Sequence, residues 1–413
     1  MRLILVIGML AALVGAFAPP GSAASGVRFG IQDDAWLAHG PGSLESRLDR
    51  LDGLGVDVVR FNLHWNEIEA TKGSPDWTSG DAVLKGLRAH RIGAVVGLVG
   101  APRWANGGKG PNYVPTAASF AAFARTAATR YSWVREWLVW NEPNQARWLI
   151  PTSPAVYVRS LLNPGYAAIH AVIPGAKVAG GVTAPRAGTA GVSPVKWIRG
   201  MSAAHARLDA YAHHPYPGRP TDTPSAGGCT HAGCETITMA TIERLLTEVG
   251  RAFGPKRIWL TEYAYQTGAG GVTQARQAAL LGEAALRAFK VPRVDLLIHY
   301  LVVDEPTAAR FQSGLYLISG APKLASLSFP FPLAQAGRSG GNVVLWGQVR
   351  PRSGSQSYRL QARSGSGAWR SLGGNRRTTS RGYLSASIAV PRGSLVRLYS
   401  PQDRAYGAPI VVR

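Results

Sequence analysis

Charged residues and cysteines are scarce in this chain of 413 residues. Only 16% of the residues are charged and 46% are hydrophobic, which excludes an intrinsically disordered protein and indicates a packed globular one. Beyond the N-terminal region no stretch is long and apolar enough to span a bilayer, so no later transmembrane helix is expected. No repeat or low-complexity tract stands out, and the length is that of about two domains.

The two cysteines, Cys229 and Cys234, lie close together in the segment CTHAGC. Outside the cytoplasm such a pair is most simply a disulfide that closes a loop. A metal site that includes His231 is the alternative, but the segment lacks the fourth ligand that a tetrahedral site requires. We therefore predict a disulfide and neither a metal nor another cofactor.

The N-terminus has the pattern of an export signal. Arg2 precedes an apolar run that ends at Ala18, and a Pro-Pro-Gly break then leads to small residues around Ala24. The run is shorter than the ~20 residues of a spanning helix, so we favour a cleaved signal peptide over residues 1–24 rather than a membrane anchor. No cysteine lies at the cleavage site, which argues against a lipid anchor. The predicted location is extracellular, secreted or associated with the cell envelope.

Acidic residues are outnumbered, with 23 acids against 45 lysines and arginines, and the net charge is +22. Nucleic acid is the first partner that such a balance suggests. However, residues 327–413 alone carry +12, from thirteen arginines and one acid, Asp403. Because an exported protein rarely meets nucleic acid, we expect this basic region to bind an anionic cell-envelope polymer or an acidic polysaccharide. We expect the protein to be a monomer.

Strand-like apolar runs alternate with helix-like amphipathic runs from residue 26 to about 326. Eight such units predict parallel strands with crossover helices in a (β/α)₈ (TIM) barrel. A doubly wound sheet would show a glycine-rich phosphate turn after its first strand, and GIQDDAW is not one. The predicted strands span residues 26–32, 56–65, 92–100, 134–142, 176–185, 208–216, 256–265 and 294–303.

The pattern changes after Lys323, where short apolar runs are separated by Gly, Ser and Pro and helical periodicity disappears. This composition predicts a small antiparallel β-domain, a β-sandwich, after the barrel. The predicted organisation is therefore a signal peptide over 1–24, a catalytic barrel over 25–326 and a C-terminal β-sandwich over 327–413.

Two glutamates end predicted barrel strands, Glu142 on the fourth strand and Glu262 on the seventh. Chemistry in this fold lies at the C-terminal ends of the strands, so the two carboxyl groups are expected to face one mouth. A glycosidase needs such a pair, because one carboxylic acid protonates the leaving oxygen while the other attacks the anomeric carbon or activates water. Aromatic residues at the same strand ends suit sugars, whose C–H faces pack on flat rings.

Four segments carry a family resemblance: VVRFNLHWNEIEATKGSPDW (58–77), VWNEPN (139–144), IWLTEYAY (258–265) and SGLYLISGAPKLA (313–325). With these motifs, residues 27–326 resemble the clan A retaining glycoside hydrolases, most closely family 39 and its bacterial endoglycosidase relatives. The resemblance implies a double-displacement reaction on a carbohydrate. The segment HYLVVDEP after the eighth strand departs from the aromatic-rich stretch of the family's xylosidases, which leaves the sugar specificity open.

The resemblance also implies residue roles. Glu142 would be the acid/base, with a raised pKa, and Glu262 the ionised nucleophile. Asn141 would bind the sugar's 2-hydroxyl, Arg60 would keep the nucleophile charged, and His214 and Tyr216 would orient the site. The residues predicted to bind substrate are Asn141, Arg60, His214, Tyr216, Trp65, Trp104, Trp148 and Tyr300.

Some alternatives stay open at this stage. Trp104 and Trp148 follow strands and could stack on sugars or simply pack, and His213 could be a core residue or a site residue. Trp259 is expected in the core, because apolar neighbours flank it on a buried strand. The loops after strands 1, 3 and 4 are not unusually long, which favours an endo-acting cleft. The competing function is a catalytically inactive barrel that binds envelope glycans and is anchored by the basic C-terminal domain.

Overall fold

The computed structural model describes residues 26–307 and 311–413. The predicted signal peptide, residues 1–24, lies outside the described residues. Within the described ranges, no helix combines the length and the hydrophobicity needed to cross a membrane.

Eight parallel strands close into a barrel in which each strand pairs with the next and β8 pairs with β1, so the predicted (β/α)₈ fold is confirmed. At least one helix lies between each strand and the next. The barrel strands are β1 (Arg28–Gln32), β2 (Val58–His64), β3 (Gly93–Val99), β4 (Glu136–Val139), β5 (Lys177–Thr183), β6 (Ala210–His213), β7 (Arg257–Tyr263) and β8 (Val294–Tyr300).

The helices cover the outside of the barrel, and several begin at a serine or threonine whose side chain accepts a backbone N–H, as Ser43, Thr116, Ser193 and Thr273 do. The helices are α1 (Asp34–His39), α2 (Leu44–Gly53), α3 (Trp65–Ile68), α4 (Thr78–Ala89), α5 (Ala117–Arg130), α6 (Pro154–Tyr157), α7 (Asn163–Val172), α8 (Pro194–Ala203), α9 (Ile242–Phe253), α10 (Gln274–Lys290) and α11 (Leu324–Ser328). A π-helix (Val158–Leu162) joins α6 to α7, and a 3₁₀ turn (Met239–Thr241) precedes α9.

The barrel interior is apolar in its middle and polar at the C-terminal ends of the strands. On β2, Val58 belongs to the interior apolar cluster, and Arg60 and Asn62 follow at the two-residue period of a strand. Gly97 on the neighbouring strand makes room for the Asn62 amide, because a Cβ at Gly97 would lie 2.2 Å from Asn62 Oδ1. The strand alternation therefore carries polar side chains to the mouth of the barrel.

Several strands end earlier than the sequence predicts. β4 ends at Val139, and Trp140 then adopts φ 71°, outside the strand region. β8 ends at Tyr300, and Leu301 has φ 82°. Glu142 therefore lies in a loop rather than on a strand, three residues beyond the end of β4.

The C-terminal region forms two antiparallel sheets, which confirms the predicted β-sandwich. Apolar residues from both sheets, such as Leu345 and Leu384 on one and Leu360 and Leu398 on the other, form its buried core. One sheet contains β9 (Leu333–Ser339), β10 (Asn342–Gln348) and β14 (Tyr383–Ile388). The other contains β11 (Ser357–Arg363), β12 (Arg370–Ser371), β13 (Arg376–Arg377), β15 (Leu395–Ser400), β16 (Ala405–Tyr406) and β17 (Ile410–Val411).

The sandwich packs against the barrel through a buried arginine. The guanidinium carbon of Arg350 lies 3.9 Å from the ring centroid of Phe29 and 4.6 Å from that of Phe329. The Tyr383 hydroxyl also donates to the carbonyl of Val27. The predicted boundary after residue 326 falls within α11, whose Ser328 hydroxyl donates to the carbonyl of Ala278 on α10.

Candidate active site

Glu142 and Glu262 lie together at the C-terminal mouth of the barrel. One carboxylate oxygen of each, and one ring nitrogen of His214, all lie within 4.8 Å of one another. All three residues are buried, with relative exposures of 4%, 8% and 0% in that order. The structure therefore brings together two acids that are 120 positions apart in the sequence.

Arg60 connects the polar groups of this site. Its Nη1 donates to Glu262 Oε1 over 2.8 Å and lies 2.9 Å from His214 Nε2, while its Nη2 donates to Asn141 Oδ1 over 2.5 Å. Arg60 is fully buried, so its charge acts on Glu262 with little screening by water. One side chain thus orients the acid on β7 and the asparagine that precedes Glu142.

The loop after β4 places Glu142 by an unusual backbone path. Glu142 has φ 37°, a left-handed value that is uncommon for a residue with a side chain, and its N–H donates to the carbonyl of Val182. The side chain of Asn144 ties the same loop to the segment after β5, since it accepts from Ala184 N and donates to the carbonyl of Val192. The loop is therefore held on both sides of the acid.

Both carboxylate oxygens of Glu142 have a partner. Oε1 lies 3.1 Å from His214 Nδ1, and Oε2 accepts from Arg147 Nη2 over 2.6 Å. Burial raises the pKa of Glu142, but the contacts with His214 and Arg147 outweigh burial and lower it to about 2. The sequence-based prediction of a raised pKa is therefore not met, because His214 and a cation from the loop, Arg147, both contact the acid.

Glu262 is the penultimate residue of β7, and its second carboxylate oxygen accepts from a further donor. The Tyr216 hydroxyl donates to Glu262 Oε2 over 3.0 Å. Burial, and then the neighbouring Glu262 charge, raise the pKa of Tyr216, so its hydroxyl keeps its proton. The pairing of β7 with β8 shifts register between Leu260 and Tyr263, which interrupts the side-chain alternation at Glu262.

Aromatic rings line the mouth beside Glu262. The Tyr300 ring lies edge-on to that of Tyr216, with centroids 6.4 Å apart, and edge-on to that of Phe311, with centroids 5.2 Å apart. We call Tyr216, Tyr300 and Phe311 the aromatic wall. All three are partly exposed, so their rings can contact a ligand.

The predicted tryptophans differ in their positions. Trp65 is fully buried and stacks on Phe123, so it is a core residue, and its predicted contact with substrate is not supported. Trp65 is the first residue of α3 and lies beyond the end of β2, the strand whose alternation turns Arg60 and Asn62 inward. Trp104 is half-buried and packs edge-on against Trp65. Trp148 is half-buried and lies in the same loop as Glu142.

His213, whose role the sequence left open, and Trp259, which was expected in the core, both belong to the core. His213 is fully buried and lies within hydrogen-bond distance of the Thr183 hydroxyl and the carbonyl of Ile237, and burial lowers its pKa to about 3. Trp259 is 2% exposed and belongs to the apolar cluster of the barrel interior, as predicted.

Four residues of the site were not predicted as ligand-binding. Asn62 lies 3.4 Å from Arg60 Nη2 and donates to Asp34 Oδ2, and burial raises the pKa of Asp34. The two-residue period from Arg60 could have identified Asn62. Arg147 and Phe311 lie in loops, where no periodic pattern exists to identify them.

Two groups of residues could be considered as metal sites, the Cys229–Cys234 segment and the cluster of Glu142, His214 and Glu262. A disulfide joins Cys229 and Cys234, so neither sulfur is free to ligate a metal beside His231. Glu142, His214 and Glu262 present three ligand atoms close together. Arg60 and Arg147 also contact this cluster, and their positive charges oppose the binding of a cation.

The same fold occurs in solved structures of glycoside hydrolases. A family 39 glycoside hydrolase from the gut symbiont Bacteroides cellulosilyticus WH2 is 18% identical, over 91% of this chain and 81% of its own, with a TM-score of 0.63. A glucosidase from Croceicoccus marinus is 12% identical, over 90% of this chain and 95% of its own, with a TM-score of 0.61. The exo-beta-1,4-mannosidase Op5Man5 from Opitutaceae bacterium strain TAV5 is 20% identical, over 73% of this chain and 58% of its own, with a TM-score of 0.52.

No protein-family model matches this chain, and no curated protein matches it in sequence. At the identities of the solved structures, the similarity shows a shared fold.

Proposed function

We propose that this protein is a secreted retaining glycoside hydrolase that cleaves O-glycosidic bonds of a polysaccharide or oligosaccharide. The observation that carries the proposal is the pair of carboxylates, from Glu142 and Glu262, with oxygens within 4.8 Å at one barrel mouth. Retaining enzymes hold their carboxyl groups about 5–5.5 Å apart, whereas inverting enzymes leave about 6.5–9.5 Å for a water molecule. The short separation favours retention.

The reaction would proceed in two displacements. A Glu262 oxygen attacks the anomeric carbon while the bond to the leaving oxygen breaks, and Glu142 gives its proton to that oxygen. Glu142, now a carboxylate, takes a proton from water, and this water attacks the anomeric carbon and breaks the ester to Glu262. Arg60 and Tyr216 hold Glu262 in place, and Asn141 is positioned to bind the 2-hydroxyl.

The stereochemistry of the first product tests this proposal. Aryl β-glycosides that differ in the sugar, and then polysaccharides, would be screened by the release of phenol or reducing ends. On an active β-glycoside, we expect proton NMR at early times to show the β-anomer of the sugar before mutarotation mixes the two forms. Initial release of the α-anomer would contradict double displacement, and a complete lack of turnover across the panel would contradict hydrolase activity.

One observation favours the competing function, a barrel that binds glycans without cleaving them. The contacts with His214 and Arg147 keep Glu142 ionised, and an ionised acid cannot protonate a leaving group. This function predicts binding of oligosaccharides without any release of reducing ends. The aromatic wall would serve either function, so turnover rather than affinity separates the two.

We propose in addition that the C-terminal sandwich binds an anionic polymer of the cell envelope. Its net charge supports this, as does the exposure of arginines such as Arg370, Arg377 and Arg392. The wild-type chain should be retained on immobilised polygalacturonate, with retention that falls as salt rises. Replacing these three arginines by glutamine should release the protein at lower salt. The control replaces three exposed arginines of the barrel by glutamine, namely Arg91, Arg125 and Arg135. If the sandwich variant and the barrel variant lose retention equally, a specific role of the sandwich is contradicted.

A further inference from the structure

Arg147 reaches from the solvent to a buried acid. Its side chain is 65% exposed, whereas that of Glu142 is 5% exposed, and the two meet over 2.6 Å. The guanidinium carbon also lies 5.8 Å from the ring centroid of Trp148. An arginine with this exposure keeps N–H donors available to a ligand that enters the mouth, because a guanidinium has five of them.

The contact matters for catalysis because, together with that of His214, it holds Glu142 in its ionised form. Burial raises the pKa of Glu142, but the contacts with His214 and then with Arg147 lower it below its ordinary value. If Arg147 moved away, burial and the His214 contact would remain, and the pKa of Glu142 would rise because one of its two cationic partners is lost. The titratable or charged groups near Glu142 are Arg147, His214, His213, Tyr216 and Glu262. Arg60 lies one step further away, because it donates to Glu262 and to Asn141, the residue before Glu142.

The loops around Glu142 are basic. Residues 100–116, 140–153 and 184–193, which follow β3, β4 and β5, contain four cationic residues and a single acid, Glu142 itself. The four cationic residues, all exposed, are Arg103, Lys109, Arg147 and Arg186. By contrast, residues 33–43 and 65–77, which follow β1 and β2, contain five acids and one lysine. The positive charge is therefore concentrated on one side of the mouth.

That side is the leaving-group side under the proposed function. The acid/base must contact the glycosidic oxygen and hence the sugar that departs, whereas the nucleophile contacts the sugar that is retained. Glu142 lies among the basic loops, and Glu262 lies beside the aromatic wall. A leaving-group sugar would therefore meet Arg147 first among the charged side chains at Glu142.

We infer that the leaving-group subsite takes a uronic acid residue and that Arg147 is the specificity-determining residue which binds its carboxylate. The substrate carboxylate replaces Glu142 as the partner of the guanidinium, since arginine binds carboxylates in a two-point geometry. Glu142 is thereby released to take up the proton that it delivers to the leaving oxygen. The inference rests on the proposed function and names its substrate class, an acidic polysaccharide.

The test compares an acidic polysaccharide with the same polymer after its carboxyl groups are reduced to primary alcohols. Glucuronoxylan, hyaluronan and xanthan form the panel, and reducing-end release gives kcat/KM. We expect the wild-type protein to prefer at least one acidic polymer over its reduced form by about 10-fold or more, the effect of a hydrogen bond between charged groups. Arg147→Gln should remove most of this preference, and Arg147→Lys should restore only part of it.

The matched control is Arg135→Gln, which removes the same charge at the opposite end of β4 and should leave the preference unchanged. A wild-type enzyme that cleaves neutral polymers as well as acidic ones, or an Arg147→Gln variant that keeps the full preference, overturns the inference while the hydrolase assignment stands. If the wild-type protein cleaves none of the acidic polymers and none of their reduced, neutral forms, both the uronic acid inference and the hydrolase assignment are overturned.

A pH profile gives a readout that a merely structural role of Arg147 would not change. On a neutral aryl β-glycoside, the fall of kcat/KM at alkaline pH (the alkaline limb) reports the pKa of the general acid in the free enzyme. Removing the cation raises the pKa of Glu142, so Arg147→Gln should move this limb to higher pH, and Arg135→Gln should not. A rate loss without a shift of the limb would contradict contact between Arg147 and the working acid.

Discussion

Replacement of Glu262 by glutamine is expected to lower kcat/KM on a β-glycoside by about 10³-fold or more, a loss typical of a missing nucleophile. Glutamine has nearly the shape of glutamate, but its amide is a poor nucleophile and carries no charge to stabilise the developing positive charge of the sugar. The amide oxygen can still accept from Arg60 Nη1, and the amide N–H₂ can donate to the Tyr216 hydroxyl, which also serves as an acceptor. The fold should therefore survive the change.

Steady-state kinetics and thermal unfolding would be measured for this variant side by side. The control is Glu243→Gln, which alters an exposed glutamate on α9 that pairs with Arg287 and should leave kcat/KM unchanged. Sodium azide adds a second readout, because in Glu262→Ala it can occupy the vacated face and give an α-glycosyl azide from a β-glycoside. Near wild-type turnover by a folded Glu262→Gln protein would remove Glu262 from the mechanism.

The sequence predicts the scaffold of this site because barrel strands repeat a simple pattern. Apolar runs, helical runs and their alternation identify the eight strands, and the rule that strand ends share one mouth brings Glu142 and Glu262 together. The two-residue period of β2 also explains why Arg60 and Asn62 both face the site, whereas Trp65, which begins α3 after the strand, enters the core.

Local departures from this pattern could not be predicted. Glu262 follows a register shift between β7 and β8, and Glu142 depends on a left-handed backbone position in a loop. Neither feature has a sequence signal comparable to strand alternation. The pKa of Glu142 was predicted in the wrong direction for the same reason. Burial would raise it, but the contacts with His214 and with Arg147, a loop residue, outweigh burial, and only the three-dimensional path of the chain creates them.

The effect of replacing Glu142 by alanine should depend on the leaving group. An acid assists departure only where the leaving oxygen is too basic to leave unaided, so a sugar leaving group should lose about 10²–10⁴-fold in kcat/KM, the usual contribution of general acid catalysis. A dinitrophenyl β-glycoside, whose leaving group needs no proton, should lose far less. Azide should rescue the variant with retained configuration, because Glu262 still forms the intermediate and azide then enters from the side that Glu142 vacates.

Glu142→Gln separates the proton from the contacts of the side chain. The amide oxygen can still accept from Arg147 or His214, but the amide N–H is too weakly acidic to transfer a proton to a leaving oxygen, so the variant should show the same leaving-group dependence as alanine. The alkaline limb of the pH profile should disappear in both variants, since the group whose deprotonation causes it is gone. If kcat/KM instead falls equally for substrates with sugar and dinitrophenyl leaving groups, Glu142 maintains the shape or charge of the site and does not protonate the leaving oxygen. Its ion pair with Arg147 would then be structural, and Glu142 would not be the acid/base of the reaction.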